Sequence, residues 1–142
     1  MIQIIEVKTF EAAHISAIQR LLDQLTTRSI PWTEETHRQF LSEPTSHLFL
    51  LQVDQAIAGM LTVGCYASPT GGKAWIEDVV VDNAFRGQGL SKRLMHHAIE
   101  WVRQAGIAQL MLTSKPARVA ANHLYQSLQF ERKETNVYLM KL

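Results

Sequence analysis

Apolar and polar positions along the 142-residue chain change period several times, and each change marks an element. Residues 2–7 alternate weakly and predict a first strand. From Phe10 the spacing lengthens. Ile15, Ile18, Leu22 and Leu25 recur at three, four and three residues, which is one stripe of a helix. Pro31 fixes a bend. Thr33 before Glu34, Glu35 and Thr36 opens a second helix that ends before Pro44. Residues 48–53 and 57–66 predict two strands joined at Asp54-Gln55. Residues 67–72, with Pro69, Gly71 and Gly72, read as a loop, and residues 74–81 as a buried strand. After a polar turn, Leu90, Leu94, Ala98, Trp101 and Ala105 line one face of a strong helix capped by Gly106. Residues 109–113 predict a further strand. Pro116 suits the first turn of a last helix, with Ser114 as cap and Ala117, Ala121, Leu124 and Leu128 as its apolar face. Residues 130–142 close the chain in extended form. The resulting order is β-α-α-β-β-β-α-β-α-β, an α/β fold read as one domain over residues 1–142.

Composition narrows the function classes. Charged residues make up 19% and the formal net charge is +1, so nothing favours nucleic acid or an anionic membrane as partner. No apolar run approaches the ~20 residues that span a bilayer. The first residues lack the basic and apolar regions of a signal peptide. Cys65 is the single cysteine, which excludes an intrachain disulfide and fits a reducing compartment. These features predict a soluble, cytoplasmic protein. The six histidines show no metal-ligand spacing, and no serine sits in a nucleophile elbow.

The informative segment is Val79-Val80-Val81-Asp82-Asn83-Ala84-Phe85-Arg86-Gly87-Gln88-Gly89-Leu90-Ser91. A buried strand feeds a glycine turn that opens into an amphipathic helix. The first amides of a helix lack internal partners and carry the positive end of its dipole, so the turn suits an anion. A mononucleotide P-loop fails, because Cys65 stands where the spacing from Gly59 and Gly64 requires lysine. A dinucleotide fingerprint fails, because Lys92 stands where a third glycine belongs after Gly87 and Gly89. What remains is Arg-x-x-Gly-x-small, met by Arg86, Gly89 and Ser91.

With this motif the sequence resembles the GNAT superfamily of acyl-CoA-dependent N-acyltransferases. A second match lies downstream, where Ala121, Leu124, Tyr125 and Phe130 follow the family's helix pattern, with Gln129 replacing the usual glycine. The resemblance implies a mixed, mostly antiparallel sheet flanked by about four helices. It implies that acetyl-CoA lies against Arg86, Gly87, Gln88, Gly89, Leu90 and Ser91. The pantetheine arm then meets Asn122 and the main chain of Val79, Val80 and Val81, where strands splay apart. Tyr125 stands near the sulfur as candidate acid. No metal is implied.

The strand from Trp75 to Val81 also carries two acids in an apolar run. Alternation puts Trp75, Glu77, Val79 and Val81 on one face and Ile76, Asp78 and Val80 on the other. A carboxylate there needs a partner or a cavity, and a raised pKa would suit it to take a proton from an amine. Glu77 fits the family's base position. Asp78 is the rival, and either acid can instead be an anchor. The family's acceptor wall corresponds here to Arg28 and Trp32. The implied reaction is N-acetylation of a small-molecule or polypeptide amine. Alternatives are a coenzyme-binding module without turnover, another acyl donor, or an amino-sugar phosphate acceptor. The closing segment is short for the family's final strand pair, so a homodimer completing the sheet edge is also expected.

Overall fold

A computed structural model describes residues 1–142 as two compact units, Met1–Leu112 and Thr113–Leu142. The first holds a five-stranded sheet in the order β1-β2-β3-β4-β5. Strands β1 (Ile2–Glu6), β2 (Ser46–Val53), β3 (Ala56–Ser68) and β4 (Gly71–Val81) run antiparallel to their neighbours, and β5 (Leu110–Met111) runs parallel to β4. Helices α1 (Ala12–Leu25), α2 (Glu34–Leu41) and α3 (Leu90–Gln104) belong to the same unit. The second unit holds α4 (Val119–Ser127). The sheet is mixed and mostly antiparallel, with four α-helices, as the resemblance implies.

Helices cover both faces of the sheet, which is why Leu48, Phe49, Leu50 and Leu51 are all buried although they alternate. Leu48, Leu50, Met60 and Val80 cluster with Val7 and with Ile18, Leu21 and Leu22 of α1. On the opposite face Phe49 meets His97 and Trp101 of α3 edge to face. A Cβ on Gly59 would lie 3.0 Å from the Val80 carbonyl and 3.2 Å from Leu94 Cδ1, so glycine lets α3 sit close on β3. That approach fixes the start of α3, where the glycine turn ends. No helix is long and apolar enough to cross a membrane.

Five local expectations are corrected. The expected 67–72 loop shrinks to Pro69 and Thr70, because β3 reaches Ser68 and pairs it with Gly71. The buried row of α3 is Leu90, Leu94, Met95, Ala98 and Val102, while Ala105 is exposed. Steps of four keep to the sheet; the step of three to Trp101 turns away from it, and its ring lies tilted against that of His47. Strand β5 is two residues long rather than five. Helix α4 starts at Val119, after a turn in which the Arg118 N–H donates to the Lys115 carbonyl. Pro116 therefore occupies a turn rather than a helix, and the Ser114 hydroxyl is buried without a partner rather than capping. Residues 130–142 form no strand.

Candidate active site

Strand β4 leads into the glycine turn through Asp82. Its carboxylate accepts from the Ala84 N–H at 3.0 Å, from Arg20 Nε at 2.9 Å and from Gln24 Nε2 at 3.3 Å. Gln24 Oε1 in turn accepts from the Asn83 N–H at 2.8 Å. The Ala84 amide, with Arg20 and Gln24, holds the Asp82 carboxyl below the usual aspartate range despite its burial. Asp82, Arg20 and Gln24 thus tie the entry of the turn to α1. Sequence reasoning missed this trio. The only local signal is Asp82-Asn83, an acid before a short turn.

After the 3-10 turn Asn83–Phe85 the chain passes through Gly87 at φ +80° and Gly89 at φ +71°, both left-handed. A Cβ at either would meet nothing within 4 Å, so the backbone conformation, not crowding, demands glycine. The Arg86 N–H donates to Asn83 and the Arg93 N–H to Gly89. The amides between them, on Gly87, Gln88, Gly89, Leu90, Ser91 and Lys92, donate to no group of the chain. Gly89 caps α3 without any side-chain acceptor. A row of free amides at a helix N-terminus, backed by the dipole, fits a diphosphate. Arg86 is exposed beside it.

On β4, pairing with β5 is confined to Ala74↔Leu110 and Trp75↔Met111. The edge of β4 beyond Trp75 has no strand beside it, and this includes Val79, Val80 and Val81. The opposite edge stays paired to β3, with Gly59↔Val81 and Met60↔Val80.

The acids sit differently from the simple alternation. Thr62 pairs with Glu77 and Met60 with Val80, so Leu61 faces both Asp78 and Val79. This is a β-bulge, with Asp78 at φ +54°. Glu77 therefore shares a face with Trp75 and Val80, not with Val79 and Val81. The extra residue reverses the phase of the strand, which a period-two reading has no means to see. Glu77 and Asp78 both reach solvent. Partial burial raises the Glu77 pKa and the Asp78 charge raises it further. Burial also raises Asp78, against the pull of the Arg28 charge. Arg28, from the loop between α1 and α2, therefore acts on the bulge.

Trp32 is placed otherwise. Its N–H donates to Gln19 Oε1 at 2.6 Å and its indole Nε1 to His37 Nδ1 at 3.2 Å. Its ring meets His37 and Phe40 edge to face. The residue fastens the loop to the helices. His37 is fully buried, and burial followed by the charges of His14 and Arg38 lowers its pKa. No three His, Cys, Asp or Glu side chains gather as a metal site.

In the second unit Tyr125 is buried and its ring meets Phe130 edge to face at 6.3 Å. Asn122 Nδ2 donates to the carbonyls of Lys115 and Arg118, which leaves its Oδ1 as the unused acceptor. Helix α4 ends in a Schellman motif: the Phe130 N–H donates to Tyr125 and the Gln129 N–H to Gln126, with Gln129 at φ +75°. The glutamine keeps the backbone expected of glycine.

Comparisons with known proteins agree with this geometry. The model of the acetyltransferase (GNAT) family matches residues 15–130. Glucosamine 6-phosphate N-acetyltransferase 1 of Oryza sativa subsp. japonica is 31% identical over 121 residues, covering 78% of this chain and 73% of that protein. Streptothricin acetyltransferase A of Bacillus subtilis (strain 168) is 29% identical over 91 residues, or 64% of this chain. The matched stretch spans about half of that relative, 51% of its length. Among solved structures, a putative acetyltransferase from Agrobacterium tumefaciens str. C58 superposes with a TM-score of 0.87 at 20% identity, covering 98% of this chain and 99% of the other. The family match covers well over half of the residues and carries both the glycine turn and Tyr125: this chain belongs to the acetyltransferase (GNAT) family.

Proposed function

We propose that residues 1–142 act as one N-acetyltransferase domain that moves an acetyl group from acetyl-CoA to an amine. The observation that carries this reading is the row of six amides without acceptors between Arg86 and Arg93. Gly87, Gln88, Gly89, Leu90 and Ser91, with Arg86, hold the diphosphate; the free edge of β4 at Val79, Val80 and Val81 takes the pantetheine amides, with Asn122 Oδ1 as a further acceptor. Glu77 accepts a proton from the ammonium, directly or through water. The freed amine attacks the thioester carbonyl, the C–N bond forms, the C–S bond breaks, Tyr125 gives its proton to the departing thiolate, and the proton shed by the new amide nitrogen restores the tyrosine. A main-chain N–H of the free edge steadies the oxyanion. Direct transfer needs no metal and no enzyme-bound acyl group. Arg28 stands at the acceptor side, while Trp32 supports the loop that carries it.

An amino-sugar phosphate acceptor is the second reading, favoured by the 31% identity to the rice enzyme and by the Glu77-Asp78 pair. A thiol-release screen over amino sugars, their phosphates, polyamines and peptide N-termini tests both. Expected is acetyl-CoA-dependent release with at least one class, reduced about a hundredfold in Tyr125→Phe, the scale of acid catalysis. Coenzyme binding with no release across the panel would instead support a binding module without turnover.

A further inference from the structure

We propose that Gln19 of α1 is a positioning residue for the acceptor side of the reaction: its carboxamide clamps the main chain at Ile30 and Trp32 and so holds Arg28 beside the bulge of β4. This rests on the transfer reaction proposed above, in which Arg28 stands at the acceptor side and Glu77 takes the proton. Gln19 Nε2 donates to the Ile30 carbonyl at 2.9 Å and to Asp23 Oδ1 at 3.0 Å, while Oε1 accepts from the Trp32 N–H at 2.6 Å. Both amide hydrogens and the oxygen are thus engaged. The partners also fix the amide's orientation. Flipped, it would set its NH2 against the Trp32 N–H and its oxygen against a carbonyl and a carboxylate. Ile30 precedes Pro31, which favours extended chain there. In extended chain a carbonyl and the N–H two residues on project to the same side. One carboxamide therefore serves both, as a residue of a neighbouring strand would. Glutamate would offer no donor to Ile30, and lysine no acceptor to Trp32.

Arg28 lies in the short bridge between two anchors. On one side the Thr26 N–H donates to Leu22 where α1 ends, and the Arg28 N–H donates to Thr26 Oγ1 at 3.2 Å. On the other side the clamp begins at Ile30. The Trp32 indole bond to His37 and the ring contacts with His37 and Phe40 hold a side chain, not the main chain leading back to Arg28. Burial raises the Asp78 pKa and the Arg28 charge pulls against it, so the guanidinium is within reach of the bulge next to Glu77. Without Gln19 the bridge is tied at one end, and Arg28 spends less time at the bulge. The glycine turn is secured separately, through Arg20 and Gln24 to Asp82 and Asn83. Loss of the clamp therefore reaches the acceptor without loosening the coenzyme cradle.

The test compares the wild type with Gln19→Met, Arg28→Met and the double variant. Methionine keeps the length and helix propensity of glutamine and removes its polar end. The clamp is only part-buried, so water can serve Ile30 and Trp32 and the variant folds. Carbon-13 NMR follows the Asp78 carboxyl, assigned with Asp78→Asn, and calorimetry follows coenzyme A. Expected is an Asp78 that titrates at higher pH in Arg28→Met, where the opposing charge is gone, and shifts the same way in Gln19→Met. The double variant should match Arg28→Met, since the clamp has then nothing left to place. In the thiol-release screen, with the panel amine of highest rate, Gln19→Met should raise the amine KM about tenfold while kcat and coenzyme affinity stay within about twofold. A Gln19→Met protein that melts earlier yet leaves the Asp78 titration in place would overturn the positioning role. So would additive shifts in the double variant, or a coenzyme affinity that falls as far as the KM rises. The Asp78 titration needs neither coenzyme nor amine, so failure of the clamp and failure of the transfer reaction are separate results.

Discussion

Gln129 and Gly106 occupy the same position in two Schellman motifs, one ending α4 and one ending α3. The Gly106 N–H donates to Arg103 and the Ile107 N–H to Val102, with Gly106 at φ +77°. A left-handed non-glycine residue costs about 1 kcal/mol, so Gln129→Gly should raise unfolding stability by up to about that amount, while Gly106→Ala should lower it similarly. Urea denaturation of both variants checks the pair. Asp82 is a different kind of residue, because three donors converge on it. Asp82→Asn should cost about 2 kcal/mol and weaken coenzyme binding, since it loosens the entry of the turn. The depressed pKa sets the sign of its acid dependence: the native state keeps the charge longer than the unfolded chain. Its contribution is therefore complete above the unfolded aspartate pKa, about 3.8 to 3.9, and is lost as pH falls through the lowered native value. Acid titration of the wild type against Asp82→Asn should show that loss in the wild type alone. Glu77 works in the opposite direction. Its base form must be present, and its pKa is raised, so kcat/KM should fall on the acid side at a pH above the ordinary glutamate range. Glu77→Gln should remove that limb; an unchanged profile would take Glu77 out of the mechanism.

The loop between α1 and α2 shows how much an element depends on residues that a pattern does not mark. Its lock is the hydrogen bond from Trp32 to a neutral His37. The native His37 pKa is lowered, so the unfolded chain binds the proton more readily. Stability should drop as pH falls below the ordinary histidine value of about 6.5 and level off below the native one. His37→Asn keeps an acceptor for the indole and does not titrate, so the slope between neutral pH and that plateau should flatten. An equal slope in both proteins, read by thermal melts, would place the sensitivity elsewhere. All four helices were legible from their spacing, and the start of α2 from Thr33, where the Thr36 N–H donates to Thr33 Oγ1 at 3.2 Å. The bulge at Asp78 was not legible, because a single inserted residue leaves the apolar composition of β4 unchanged while reversing its faces. Helix α4 began late because Pro116 fits a turn as well as a helix start.

At the scale of the whole molecule, an apolar run in the sequence settled neither burial nor pairing by itself. The run at residues 48–51 is a strand covered on both faces; the run at 137–140 forms no strand and lies exposed. The difference is neighbours, which a sequence specifies only through contacts distant in the chain. The glycine turn was legible because left-handed backbone demands glycine at Gly87 and Gly89. The surroundings of Arg28 and Trp32 were not, since Arg28 acts on Asp78 across the fold and Trp32 turns inward. The most direct measurement is calorimetric titration of coenzyme A into the wild type and Gly89→Val. A valine at φ +71° disturbs the cradle without touching the rest of the sheet. Expected is one coenzyme per chain for the wild type, with affinity weakened at least about tenfold in the folded variant. No heat of binding in the folded wild type, or equal affinity in both proteins, would contradict the assignment of the turn.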